Sequence, residues 1–172
     1  MIDPFGFSAS LIAIAGAAGT AVKTSIWLYQ LARAVEAANE DIEKFALDIR
    51  TFASIVQMAH DLLKRYHTTE PDSHILNYVM ELKILDSLAE QSKLTKKRIN
   101  GAWRQTESVQ SSIKMITRIK WIFRTGEVKA LYPDMESLKS SLLLVMAFVN
   151  FEVAQKRGDS KETHQEMQVP IL

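Results

Sequence analysis

Apolar residues recur every three or four positions through most of the chain, which is the spacing of one buried face of an α-helix. The clearest run follows Asn39, whose side chain can cap free backbone N–H groups, and Glu43, Lys44 and Asp48 fall on its other side. A later run has Pro133 near its start, where a missing N–H is tolerated. The two runs predict long amphipathic helices with apolar faces formed by Ile42, Phe45, Ile49, Phe52, Val56 and Ala59, and by Leu131, Met135, Leu138, Leu142, Val145 and Val149.

Further helical patterns lie between these two runs. After the break at Pro71, a third helix is predicted through Ile75–Leu88, fading into the basic run Lys93–Arg98. The pair Asn100-Gly101 is either a turn or a weak point in a longer helix. A fourth apolar pattern runs through Val109–Phe123 and is followed by a glycine that is a natural helix end.

No stretch alternates apolar and polar residues as a strand does, so the predicted fold class is all-α. Long helices with short connections indicate an antiparallel bundle of four or five helices over residues 1–157. The polar residues 158–172 lack periodicity and are expected to form a disordered tail. The predicted core includes Ile42, Ile49, Phe52, Val56, Leu82, Leu138, Leu142 and Val145.

The first helix, predicted within residues 1–36 and starting near Ser8 or Ser10, is unusual because residues 4–22 carry no charge. At 1.5 Å per residue these 19 residues span about 28 Å, close to the apolar thickness of a bilayer. Small residues recur every four positions on one side, which lets helix backbones approach closely. We expect this small face to pack against neighbouring helices; it consists of Ala9, Ala13, Ala17 and Ala21.

The same helix holds the candidate membrane-inserting residues. Each contributes only about −0.3 to −0.6 kcal/mol to insertion, so insertion is marginal and a cation introduced at Ile14 is expected to cancel it. A secretory signal is a poor match, because Asp3 stands where such a signal has basic residues. An Ala-rich core helix remains the alternative interpretation. The candidates are Phe5, Phe7, Leu11, Ile12, Ile14 and Val22.

Composition and motifs favour no chemistry. The chain has no cysteine and a net charge of +1, which excludes thiolate catalysis and any global attraction for nucleic acid. His60, His67 and His74 are spaced by sevens, whereas a helix that binds zinc places its ligands at i and i+4. There is neither a Glu-x-x-His pair nor a glycine-rich phosphate loop after a strand. We therefore expect no enzyme activity, metal or cofactor.

Two basic patches accompany tryptophans. Cations near Trp103 and Trp121 could contact anionic lipid headgroups, at about 1 kcal/mol per cation. Nucleic acid would produce the same signature, and solvated helix faces balanced by acids elsewhere are the simplest alternative. The candidate headgroup ligands are Lys93, Lys96, Lys97 and Arg98 in one patch, and Lys114, Arg118, Lys120 and Arg124 in the other.

Several short segments resemble a known family. They are Met1-Ile2-Asp3-Pro4, Ile12-Ala13, Leu28-Tyr29, Glu40-Asp41-Ile42, Lys120-Trp121-Ile122-Phe123 and Leu138-Lys139-Ser140-Ser141-Leu142. Together with the helix pattern over residues 1–155, they resemble the HeLo-like N-terminal domain of fungal STAND (NLR-like) receptors and cell-death effectors. The resemblance implies a non-enzymatic bundle whose N-terminal helix is released on activation, oligomerises and enters the plasma membrane.

The expected function is therefore signalling at a membrane in fungal programmed cell death or defence. Expected partners are further copies of the chain, anionic membrane lipids and a sensor or NLR-like protein, with no nucleic acid. The expected localisation is cytoplasmic at rest and at the plasma membrane on activation. The alternative is an adaptor or homodimerisation bundle of a larger STAND or ankyrin-type protein, without membrane activity.

Overall fold

The fold is described by a computed structural model that gives the backbone of residues 4–34, 39–109 and 127–166. Those residues form five helices and no strand, which confirms the all-α bundle. The first helix begins at Pro4 and not at Ser8 or Ser10, because proline in a first turn has no N–H to leave unpaired. The helices are α1 (Pro4–Ala34), α2 (Asn39–Thr69), α3 (His74–Glu81), α4 (Ile84–Val109) and α5 (Glu127–Glu166).

The helices are arranged around one apolar core. Helix α1 packs along both α2 and α4, and α5 packs along the same two helices. Helices α1 and α5 therefore occupy opposite corners of a four-helix arrangement, while the short α3 packs against α4 and α5. Of the eight core residues predicted from the sequence, seven are buried: Ile42, Ile49, Phe52, Val56, Leu138, Leu142 and Val145.

Leu82 is the exception, because the predicted third helix is two helices. Leu82 caps the end of α3, and Lys83 has a positive φ of 53° before α4 begins. The backbone N–H groups of Leu82 and Lys83 bond back to Tyr78 and Met80, which closes α3 tightly. This break turns Leu82 away from the core and leaves it 54% exposed, so its predicted burial is wrong.

Helix α4 runs without interruption through Asn100-Gly101, so this pair is a point within a longer helix and not a turn. The helix is described as far as Val109. The rest of the predicted fourth helical segment, Ile113 to Phe123, and the glycine after it lie outside the described residues.

Helix α5 starts earlier and ends later than its apolar pattern indicates. Pro133 lies inside the helix, about one and a half turns after Glu127. The helix also continues beyond Gly158 to Glu166, where a disordered tail was expected. Residues 159–166 include Lys, Glu and Gln, which favour helix once a preceding helix has nucleated it. Residues 167–172 lie outside the described part of the chain.

Candidate functional site on the first helix

Helix α1 buries one face on a seven-residue period. Phe7, Ile14, Ala21 and Leu28 are all buried, and buried residues fall midway between them at positions 10–11, 17–18, 24–25 and 31–32. A period of 3.5 residues is the pattern of helices packed side by side in a bundle. This face belongs to the same core cluster as the apolar faces of α2, α4 and α5.

The opposite face of α1 is apolar as well, although it faces solvent. Ile12 is 71% exposed, and Phe5, Val22 and Ile26 are also exposed. Surface helices of globular proteins normally carry polar residues on this side. Lys23 and Arg33 are the charged residues of Pro4–Ala34, and both are basic. Helix α1 is therefore apolar on both faces over most of its length.

The fold divides the six candidate membrane-inserting residues into two groups. Phe7, Leu11 and Ile14 lie in the core, whereas Phe5, Ile12 and Val22 lie on the outer face. All six can meet lipid only if α1 leaves the bundle. Ile14 is fully buried (0% exposed), so a cation placed there would disrupt the fold as well as any insertion.

The predicted small face also crosses from solvent to core. Ala9 is exposed and Ala13 is partly buried, whereas Ala17 and Ala21 are buried. A step of four residues turns a helix by about 400°, so a four-residue stripe advances by about 40° at each step. The small face therefore packs in its second half. Beside it, Gly16 leaves room for the Lys96 amine, which lies 3.4 Å from the position that a Cβ would occupy.

Two contacts fix the N-terminal half of α1 to other helices. The buried Ser10 hydroxyl donates a hydrogen bond of 3.0 Å to Oδ1 of Asp86 in the first turn of α4. The Phe7 ring lies 4.2 Å from the His67 ring of α2, measured between centroids, with a tilt of 58°. Asp86 is exposed, and solvent weakens the hydrogen bond to its carboxylate, so apolar packing supplies most of the attachment.

The candidate headgroup ligands of the first basic patch do not converge on one site. Lys93 pairs with Glu90 at 2.6 Å, and Arg98 pairs with Asp134 of α5. Lys96 lies against α1, and Lys97 is exposed. The second patch, Lys114, Arg118, Lys120 and Arg124, lies outside the described residues.

The three histidines lie in different surroundings. His60 contacts Asp61 at 2.9 Å, His67 contacts the Phe7 ring in a tilted arrangement, and His74 donates its backbone N–H to Glu152. Within the described residues, no three His, Asp or Glu side chains come together in a way that could hold a metal ion.

A buried polar centre on α5 was not predicted. The carboxylate of Glu152 accepts hydrogen bonds from Ser73 Oγ (2.6 Å) and from the backbone N–H groups of His74 (3.1 Å) and Ile75 (3.3 Å). Ser73 is also the N-cap of α3 and accepts from Leu76 N–H. Glu152 thereby fixes α5 to the start of α3, where a negative charge is favourable.

The surroundings of Glu152 favour its ionised form. Burial alone would raise the pKa of this carboxyl group, but the hydrogen bonds from Ser73 and from the two backbone amides outweigh it, so its pKa is lower than usual. Lys156 Nζ lies 3.5 Å from Glu152 and 2.7 Å from Glu70, the residue that follows the end of α2. The sequence signal was a glutamate three residues after Val149, on the apolar repeat of α5.

An apolar groove of about 660 Å³ between α3 and α5 was also not predicted. Leu144 (57% exposed) and Phe148 (49% exposed) form one wall, and the exposed Tyr78 belongs to the other. The sequence signal was the absence of charge from Ser140 to Phe151. We call this feature the α3–α5 groove.

Two described helices, α1 and α5, contain stretches long and apolar enough to cross a membrane, Phe5–Arg33 and Val128–Gly158. Core helices of soluble bundles meet the same criterion, so their length and composition do not assign either helix to a membrane. Comparisons of the chain with family models, with curated proteins and with solved structures found no match.

Proposed function

We propose that the chain is a non-enzymatic, HeLo-like signalling bundle that oligomerises and acts on a membrane through α1 in fungal programmed cell death or defence. The observation that carries the proposal is the uncharged, mostly apolar outer side of α1 over residues 4–22. Its outer residues Ile12, Val22 and Ile26 are exposed although they are apolar, and no charge lies between Pro4 and Val22. A helix of this kind is suited to two environments, the bundle core and a lipid phase.

The energetics of the core face make release of α1 conditional. Burial of each of the side chains Phe7, Leu11 and Ile14 contributes about 1.5–3 kcal/mol to the stability of the bundle, and transfer of these side chains to water would lose that free energy. Their transfer to lipid would retain it, since an acyl chain is as apolar as the core. Helix α1 should therefore leave the bundle at a membrane and not in solution, which agrees with a resting cytoplasmic form and an active plasma-membrane form.

The partners in this proposal are further copies of the chain, anionic lipids and a sensor or NLR-like protein that triggers release. The exposed Lys97 on α4 is the best placed of the described headgroup candidates, because Lys93 and Arg98 are engaged in ion pairs. Lipid contacts by basic residues would orient the bundle before α1 enters the bilayer.

Dye leakage from anionic liposomes, measured on addition of the purified chain, tests the proposal. The informative variant is Ile12→Arg, since Ile12 faces solvent and its replacement leaves the core intact. A cation near the centre of the uncharged segment costs about 2.5–3.5 kcal/mol on insertion, enough to abolish leakage. Met58→Arg, at an exposed apolar position on α2, is the matched control and should leak like the parent.

Circular dichroism and urea unfolding should show that both variants fold as the parent does. Membrane insertion by α1 is wrong if folded Ile12→Arg protein permeabilises liposomes as fast as the parent.

An adaptor bundle without membrane activity is the second candidate, and the α3–α5 groove is the observation that favours it. An apolar groove between two helices is the kind of surface that accepts an amphipathic helix. If the parent chain leaves liposomes intact and does not bind them at any anionic lipid content, the adaptor function replaces the membrane function.

A further inference from the structure

We infer that copies of this chain associate asymmetrically, with the outer face of α1 of one copy docked in the α3–α5 groove of the next. The inference specifies the contact for the oligomerisation in the proposed function and rests on it. The part of the outer face of α1 that makes this contact consists of Gly19, Val22, Lys23 and Ile26 and does not include Ile12.

The shapes of the two surfaces favour this pairing over others. The outer face of α1 is a convex ridge, whereas the α3–α5 groove is concave. Two grooves cannot fill one another, and a bilayer presents a flat surface that does not enter a groove of about 660 Å³. A single apolar helix is the occupant whose size matches such a groove.

The spacing on α1 is that of a helix seated in a groove. Gly19, Val22, Lys23 and Ile26 follow the i, i+3, i+4, i+7 pattern along about 10 Å of helix. A Cβ added at Gly19 would meet no atom within 4 Å, so this position faces open space and permits close approach. The part of α5 that lines the groove, Ser141 to Phe148, covers a similar length, again about 10 Å.

Charge supplies the second argument. Every charged residue of Pro4–Ala34 is basic, and Lys23 lies on the outer face between Val22 and Ile26. Among the residues that line the groove, Glu81 carries the one carboxylate, and it is exposed at the end of α3. Docking would place Lys23 of one copy near Glu81 of the next, which fixes the direction of the contact.

The positions of the two surfaces determine the form of the assembly. Helices α1 and α5 lie at opposite corners of the bundle, so one copy can bind two neighbours, one through each surface. A head-to-tail contact between different surfaces yields a ring or an open filament and not a closed dimer.

Complementation between two blocked variants tests the inference in solution. Ile26→Asp blocks the ridge and Leu144→Asp blocks the groove, and both replace exposed residues. Sedimentation velocity should show concentration-dependent oligomers for the parent and about tenfold or more weaker self-association for each variant alone. An equimolar mixture should form a 1:1 complex, because each variant keeps the surface that the other has lost.

Charge exchange tests the direction of the contact. Lys23→Glu and Glu81→Lys should each weaken self-association about fivefold, and the double variant should recover the parent's affinity. The exposed apolar control Met58→Asp should associate like the parent, and circular dichroism should confirm that every variant is folded.

Any of four outcomes would overturn the inference. A monomeric parent at all concentrations means that no such contact forms. Self-association of Ile26→Asp at parental strength means a groove-to-groove dimer, and that of Leu144→Asp means a ridge-to-ridge dimer. Loss of liposome binding by Leu144→Asp, with a monomeric parent, assigns the groove to lipid. Dye leakage is measured separately, so failure of the docking contact leaves the membrane function to be judged by Ile12→Arg.

Discussion

Helices α1 and α5 are both long and apolar, yet they are attached to the bundle in different ways. On α5, the buried carboxylate of Glu152 accepts hydrogen bonds from Ser73 and from the start of α3. On α1, the neutral hydroxyl of Ser10 donates a hydrogen bond to Asp86 of α4. The seven-residue repeat of α1 packs in the apolar core.

This difference indicates which helix can leave the bundle. Separation of α5 would expose a buried charge and leave Ser73 and the first two backbone N–H groups of α3 without their acceptor, and neither loss is recovered in lipid. Separation of α1 into lipid would keep its apolar side chains in an apolar phase and would break few hydrogen bonds. Hydropathy alone does not distinguish the two helices, whereas the buried polar contacts do.

The largest change in stability is expected from a substitution in the buried face of α5. Leu142→Ala should lower the free energy of unfolding by about 2–5 kcal/mol, because Leu142 is completely buried. Leu143→Ala, at the neighbouring exposed position, should change it by about 0.5 kcal/mol or less. Urea unfolding followed by circular dichroism measures both free energies. Equal losses would mean that α5 does not pack on the core through the face that contains Leu142.

Glu152→Ala tests the polar attachment of α5. The substitution leaves Ser73 Oγ and two backbone N–H groups of α3 without their acceptor, so we expect a loss of about 1–3 kcal/mol. Gln155→Ala, at an exposed position on the same helix, is the control. Unchanged stability in Glu152→Ala would mean that this polar centre does not attach α5 to the bundle more firmly than α1 is attached.

Ser10→Ala tests the weaker attachment of α1. We expect a loss of about 0.5–1.5 kcal/mol, together with faster amide hydrogen exchange in α1 than in α5. Under the proposed function the variant should also permeabilise liposomes faster than the parent. Ser8→Ala, at an exposed position on the same helix, should have neither effect. Uniformly faster exchange in α1 and α5 would show that α1 does not open separately.

The smallest change in stability is expected from lowering the pH. Because the pKa of Glu152 is lower in the folded chain than in the unfolded chain, its contribution is present above the ordinary glutamate pKa of 4.5. The contribution is lost as pH falls below that value towards the lower folded pKa. Urea midpoints of the parent should therefore decline more than those of Glu152→Gln in this acid range. Parallel declines would mean that Glu152 is not stabilised in its ionised form.

Regular spacing made most of the fold predictable from the sequence. Leu138, Leu142 and Val145 are buried because a three–four repeat places them on one side of a helix. The break at Lys83 could not be predicted, since neither glycine nor proline marks it and its positive φ depends on how α3 and α4 pack. The exposure of Leu82 follows from that break.

The candidate site was predictable in part. The absence of charge in α1 identified the helix, but the division between Phe7 in the core and Ile12 in solvent depends on which neighbours surround it. The α3–α5 groove could not be predicted, because its walls belong to residues about seventy positions apart. The sequence marks Glu152 as an acid on an apolar repeat, but nothing in the sequence indicates that Ser73 is its hydrogen-bond partner.

The diagonal placement of α1 and α5 also bears on the order in which the chain folds. Helix α1 can pair with α2 as soon as both exist, since they are consecutive and few residues separate them along the chain. Helix α5 must meet α2 across a much longer stretch of chain, and such closures slow folding. We therefore expect the α1–α2 hairpin to form early and α5 to dock late. Helix α1, which we propose leaves the bundle at a membrane, would then be among the first helices to pack during folding.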